Sequence, residues 1–153
     1  MIKVLFVCHG NICRSPMAEF LFKYMVKEMG YENKFHIESR ATSTEELGNK
    51  IHSGTRKILD QYNIDYKNKR AERISQADYD YYDYILIMDE YNRYNIEYRI
   101  KDINHKIHLL LDYTDLKRDI ADPWYTGNFK ATYDDIMIGL DGFLNYLKSN
   151  KLI

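Results

Sequence analysis

The chain has 153 residues, 45% of them hydrophobic, which suits one domain, 1–153, with a packed core. Its 29% charged residues nearly cancel to a formal net charge of −1, so no global basic field argues for a nucleic-acid partner. Two cysteines are too few for a disulfide scaffold or a four-ligand zinc site, and the five histidines do not cluster at metal-ligand spacing.

The apolar run at the N-terminus ends at Cys8, too short for the core of a signal peptide. No stretch is long enough to span a membrane. The expectation is a soluble cytoplasmic protein in a reducing compartment, without metal or cofactor and without membrane insertion.

Ile2 to Val7 is almost continuously apolar and β-rich, the pattern of a strand buried on both faces. A short loop follows, and Pro16 sits where a first helical position belongs. Met17, Phe20, Leu21, Tyr24 and Met25 then recur at helical spacing, and Gly30 ends the helix. Phe35 to Ala41 reads as a second strand and Thr42 to Ile51 as a loop. Thr55, Ile58, Leu59 and Tyr62 mark a second helix, and Lys67 to Arg73 reads as a solvated basic stretch.

Tyr84 to Met88 is the third strand, with a shorter helix from about Glu90. Lys106 to Leu111 is the fourth strand. Asp112 to Lys130 reads as a long polar loop, a kind of segment that tends to carry function. Tyr133, Ile136, Met137, Leu140, Phe143, Leu144 and Leu147 form the stripe of a final helix. Amphipathic packing accounts for many of the fifteen tyrosines, including Tyr79, Tyr81, Tyr82 and Tyr84.

Strands alternating with helices predict an α/β fold: a single-domain, doubly wound sheet of four parallel strands with helices on both faces. Such sheets bind ligands beyond the carboxyl ends of their strands. Cys8 follows the first strand, and the long loop follows the fourth, so both belong to that edge.

Cys8-His9-Gly10-Asn11-Ile12-Cys13-Arg14-Ser15-Pro16 carries the chemistry. The backbone N–H groups of such a loop can curl around a tetrahedral anion, with the helix N-terminus below it. The same field favours a thiolate at Cys8. Arg14 can grip two anion oxygens through its planar fork. An isolated cysteine at a strand end is more often a buried structural thiol. Arg14 six residues on, with Gly10 permitting positive φ, turns that reading toward a phosphate site over a reactive sulfur. Asn11 suits the left-handed turn of an anion nest. Ser15 can cap the helix or donate to the thiolate.

Cys8 to Pro16 resembles the signature of the low-molecular-weight protein tyrosine phosphatases: Cys, five residues, Arg, then Ser or Thr, near the N-terminus. Asp122-Pro123-Trp124-Tyr125 resembles that family's general-acid motif, and Met88-Asp89, Ala41-Thr42-Ser43 and Gly48-Asn49 also match. The resemblance covers essentially the whole chain. It implies hydrolysis of phosphotyrosine and aryl phosphates through a cysteinyl phosphate. Cys8 would be the nucleophile, Arg14 the phosphate clamp and Asp122 the acid and later base. His9, Gly10, Asn11, Ile12, Cys13, Arg14 and Ser15 would bind the phosphate, with Asn11, Ser15, Ser39 and His52 bracing the loop.

Residue types alone do not choose Asp122 over Asp112, Asp115 or Asp119. Glu45 stands where an aromatic often flanks the substrate, with Trp124 and Tyr125 on the other side. His9 reads as a neutral exposed rim residue that would favour acidic phosphopeptides when protonated. Cys13 is the expected redox partner of Cys8. Expected partners are phosphotyrosine-containing proteins or peptides, with inorganic phosphate and vanadate as inhibitors, on a monomer open to weak self-association. A thiol-dependent arsenate reductase would need further cysteines, and residues 14 to 153 contain none. A non-enzymatic phosphopeptide-binding module would usually lack the nucleophile or the acid.

Overall fold

The computed structural model describes residues Met1 to Ile153. Four strands, β1 (Ile2–Cys8), β2 (Phe35–Ala41), β3 (Tyr84–Ile87) and β4 (Ile107–Leu109), form one sheet in the order β2-β1-β3-β4. Every neighbouring pair is parallel. The helices are α1 (Arg14–Glu28), α2 (Ser53–Gln61), α3 (Gln76–Tyr81), α4 (Glu90–Glu97), α5 (Pro123–Thr126) and α6 (Phe129–Ser149).

Strand side chains alternate between faces, and β1 divides its residues accordingly. Val4, Phe6 and Cys8 enter one core with Met17 and Phe22 of α1, Leu59 of α2 and Phe143 of α6. Leu5 and Val7 enter the other with Tyr79 of α3 and Ile96 of α4. The doubly wound sheet expected from the alternation is therefore present. The chain leaves β1 toward β2 on one side and later returns to β3 on the other, so the carboxyl end of β1 is the switch point. Cys8 sits there, on the face that α1 covers.

Several elements depart from the sequence expectation. α1 begins at Arg14, so Pro16 is its third residue rather than its first, still within the turn whose N–H groups need no helical acceptor. β4 ends at Leu109, and Leu110–Tyr113 tightens into a 3-10 turn. The polar loop holds the short α5 and stops at Asn128, whose side chain accepts from Ala131 N–H and caps α6.

α3 was not expected, although Ser75 and Asp78 form a reciprocal capping box at its start. The stretch from Lys67 to Arg73 is only partly solvated. Ala71 is buried, and the Lys69 ammonium turns inward to Ser39 O at 2.9 Å.

Candidate active site

The loop from Cys8 to Ser15 closes a tight turn at Asn11, whose φ of 59° lies in the left-handed region. Gly10, expected to permit positive φ, does not adopt it. Gly10 answers to space instead, because a Cβ there would lie 3.3 Å from Glu46 Cγ. The N–H groups of Gly10, Asn11, Ile12, Cys13 and Arg14 make no backbone hydrogen bonds, which leaves a row of donors around the loop.

Asn11 is 1% exposed and fully engaged. Its Nδ2 donates to Ser15 Oγ at 2.8 Å and Ser39 Oγ at 2.9 Å, and its Oδ1 accepts from Glu72 N–H at 3.1 Å. Ser39 Oγ donates in turn to the buried Glu19 at 2.6 Å. Lys23 and Lys69 neutralise Glu19 at 2.6 and 3.6 Å. A buried carboxylate needs such partners. The chain of contacts ends at the sulfur: Cys8 Sγ lies 3.1 Å from Ser15 Oγ and accepts from Ser15 N–H at 3.4 Å. Cys13 occupies the cap position of α1, with no side-chain cap bond, so Ser15 serves the loop interior instead of capping.

Of the expected bracing residues, Asn11, Ser15 and Ser39 meet in this network. The His52 side chain does not. The backbone N–H of His52 donates to Ile12 O at 2.9 Å, while its ring Nδ1 accepts from Gly54 N–H at 3.0 Å. Its ring stacks on Phe129 at 5.0 Å and meets Trp124 edge-on at 5.7 Å. Gly54 makes that stack possible, since a Cβ there would fall 2.5 Å from the Phe129 ring.

Arg14 is 1% exposed. Nη1 donates to Asp89 Oδ2 at 2.7 Å and Ile120 O at 2.8 Å, and Nη2 to Asp122 Oδ2 at 3.3 Å. Its Nε is buried without a protein partner. Burial works against the charge, but negative charge at Cys8, Asp89 and Asp122 outweighs it and holds the guanidinium above its ordinary pKa. Burial also pushes the Cys13 thiol well up, with charge at Cys8 and Asp122 adding to the effect.

Asp122 arrives from far along the chain because Ile120 N–H donates to Met88 O at 2.8 Å, stitching its segment to the end of β3. Its Oδ1 accepts from Trp124 N–H at 3.0 Å and starts α5. Asp112 and Asp115 line a different groove, beside Tyr113 and α6, and Asp119 accepts from Glu90 N–H.

A cleft of about 100 Å³ brings together Cys8, Arg14, Asp122, Trp124, Tyr125 and Glu45, with His9, Gly10, Ile12 and Cys13 along its floor and rim. Trp124 is 57% exposed at its mouth. His9 Nε2 lies 2.7 Å from Glu45 Oε2, so His9 is tied to a carboxylate rather than standing free. The sequence reading missed Glu46, which also lines the cleft, and Glu19, whose contacts lie behind the loop. Asp89, expected only as part of the Met88-Asp89 match, holds Arg14 in the site. Asp89 is the N-cap of α4, with a capping box to Asn92, and that local pattern was its one available signal.

The fold and cleft define an α/β protein that presents a cysteine and a buried arginine on a loop of unpaired backbone amides at the switch point of its sheet. Residues 3–152 match the family described as low molecular weight phosphotyrosine protein phosphatase, and the chain belongs to that family of protein-tyrosine phosphatases, which are hydrolases.

Among its relatives, the low molecular weight protein-tyrosine-phosphatase PtpA of Staphylococcus aureus is 35% identical over 148 residues, covering 96% of this chain and 94% of PtpA. The crystal structure of YfkJ from Bacillus subtilis superposes with a TM-score of 0.92 at 38% identity, covering 99% and 97% of the two chains. SP-PTP, the low molecular weight protein tyrosine phosphatase of Streptococcus pyogenes, gives 0.86 at 42% identity, covering 96% and 93%.

Proposed function

We propose that the chain hydrolyses phosphotyrosine and aryl phosphate monoesters through a cysteinyl phosphate, with Cys8, Arg14 and Asp122 as its catalytic residues. One observation carries the reading: Cys8 Sγ, the buried Arg14 fork and the Asp122 carboxylate share one small cleft whose floor is a row of free amides.

The phosphate oxygens take the loop amides and the Arg14 fork, where preorganised donors meet the charge of the transferring group. Cys8 attacks phosphorus as a thiolate and the bond to the aryl oxygen breaks. Ser15 supports the thiolate: its N–H donates to the sulfur, and its Oγ, which accepts from Asn11 and also reaches Arg40 O, stands 3.1 Å from it. Asp122 protonates the departing phenolate. It then takes a proton from water, which attacks phosphorus, breaks the S–P bond and releases phosphate. Trp124 and Tyr125 form an aromatic wall for the substrate ring. Phosphate and vanadate compete for the same loop.

Turnover of para-nitrophenyl phosphate and of a phosphotyrosine peptide tests the activity. Rapid acid quench of an Asp122→Ala variant with labelled substrate tests the mechanism. The label is expected on the peptide containing Cys8 and absent in Cys8→Ser. Phosphate on another residue, or steady turnover by Cys8→Ser, overturns the covalent route.

A further inference from the structure

A separate cavity, of about 160 Å³, shares no lining residue with the cleft and is lined by Lys50, Arg56, Lys67, Lys69 and Arg70 around Tyr66. These cations come from three separate segments. Lys50 and Arg70 face each other across an antiparallel bridge, Arg56 projects from α2, and Lys67 sits in a left-handed turn. Lys69 forms the floor with a side chain only 8% exposed. Its ammonium holds Ser39 O and Glu19, and keeps one further N–H to give.

Lys50, Arg56, Lys67 and Arg70 have no carboxylate within salt-bridge distance. Arg70 reaches only Gly48 O, at 3.4 Å. The nearby acids are fewer. Asp60 and Asp65 lie beside the Tyr66 phenol, and Asp65 Oδ1 already accepts from Lys67 N–H at 2.7 Å. Glu19 is shared with Lys23 outside the cavity. Converging like charges repel one another unless an anion lies between them.

We propose that this cavity is an accessory anion site, separate from the catalytic cleft, that binds a short phosphate chain of the pyrophosphate or tripolyphosphate kind. Two arginine forks suit phosphate oxygens. A single phosphoryl group engages one guanidinium fork, whereas a short chain of them can meet both Arg56 and Arg70. The volume is about five times the ~30 Å³ share of a water molecule. That admits a few phosphoryl groups.

Titration of ¹⁵N-labelled protein with sodium tripolyphosphate, in metal-free buffer at constant ionic strength, tests the site by amide shifts. Saturable shifts are expected at residues 50, 56 and 67 to 70, with a dissociation constant distinct from that of any shifts at residues 9 to 15. The double variant Lys50→Ala/Lys67→Ala should weaken this binding by about tenfold or more, a loss within reach of screened contact charges. Its aryl phosphate turnover should match that of the parent chain, which shows that the fold is kept. Lys57→Ala removes an exposed cation of α2 that lies outside the cavity and should leave binding unchanged. Shifts confined to residues 9 to 15, shifts that never saturate, or equal weakening by Lys57→Ala would overturn the proposal. The readout is binding at a mapped surface, so its failure leaves the phosphatase reading standing.

Discussion

Asp122 divides its carboxylate between Arg14 and the first turn of α5, with one oxygen on each. Its contact with Arg14 places the carboxylate beside the fork that would hold a phosphate, which is where the proposed acid for the leaving phenol must stand. Asp122→Asn keeps the cap and removes the proton. Turnover of phosphotyrosine should fall by about 10²–10⁴-fold, the usual weight of a general acid. The loss should shrink along a series of better leaving groups, and an equal loss across the series would show a structural role.

Cys13 gives a second test at this scale. Its thiol stays protonated at neutral pH because burial and nearby negative charge both raise it. Oxidation of Cys8 to a neutral sulfenic acid removes one of those causes, so Cys13 becomes a better resolving thiol when it is needed. Peptide mapping after mild peroxide should find a Cys8–Cys13 disulfide that forms faster as pH rises. Only sulfinic or sulfonic Cys8, at every pH, would reject the pairing. Both thiols are free in the reduced protein.

The start of α4 is an element that serves two purposes. Asp89 Oδ1 accepts from Asn92 N–H at 2.8 Å and caps the helix, while Oδ2 holds Arg14. Asn92 is buried and returns its Oδ1 to Met88 and Asp89 N–H, so the helix terminus and the end of β3 are locked together. Asp89→Ala should lose the cap, worth about 1 kcal/mol. It also leaves a buried guanidinium short of a partner, and breaking a buried pair costs about 3–5 kcal/mol. Denaturant unfolding should show a loss of several kcal/mol. Turnover should fall as Arg14 loses its orientation. Asp89→Asn, which keeps the cap acceptor, should recover part of the stability and less of the turnover. Equal recovery of both would mean that Arg14 needs no carboxylate there.

Across the whole molecule, Tyr66, Tyr79, Tyr82, Tyr84, Tyr113 and Tyr133 all titrate above the ordinary tyrosine value, with burial the first cause in each. Tyr84 and Tyr133 are pushed up to about 12. Each raised value means that the folded state keeps a proton which the unfolded chain gives up near pH ~10. Their contribution to stability is therefore complete below pH ~10 and is lost as pH rises from there through the folded values. Unfolding free energy should decline from about pH 10 upward, with tyrosinate absorbance rising together with loss of structure. Tyrosinate formation at these residues near pH ~10 in a protein still fully folded would contradict the burial argument. Tyr91, Tyr94, Tyr98 and Tyr125 stand in solvent. Packing accounts for the enclosed rings, whereas these four are the most exposed tyrosines of the chain.

The sequence by itself determined what depends on near neighbours. The apolar run of β1, the helical spacing of α1 and the Cys8-to-Arg14 loop between them are local patterns, and local patterns carry the strand period, the helix period and the turn. Alternation of strands and helices was enough for the parallel sheet and the edge where the loop lies. Capping side chains decided what the periodicity did not, as Asn128 does for the start of α6 and Ser75 for the presence of α3. Only the tertiary structure decided which distant side chains complete the site. The pairing of Asp89 with Arg14, the placing of Lys69 and Glu19 behind Ser39, and the diversion of the His52 ring to Phe129 have no sequence period to announce them. Each follows from burial: a charge or amide enclosed by the fold takes whatever partner the packing brings within reach, and that partner is chosen by the sheet and its crossovers rather than by the neighbouring residues.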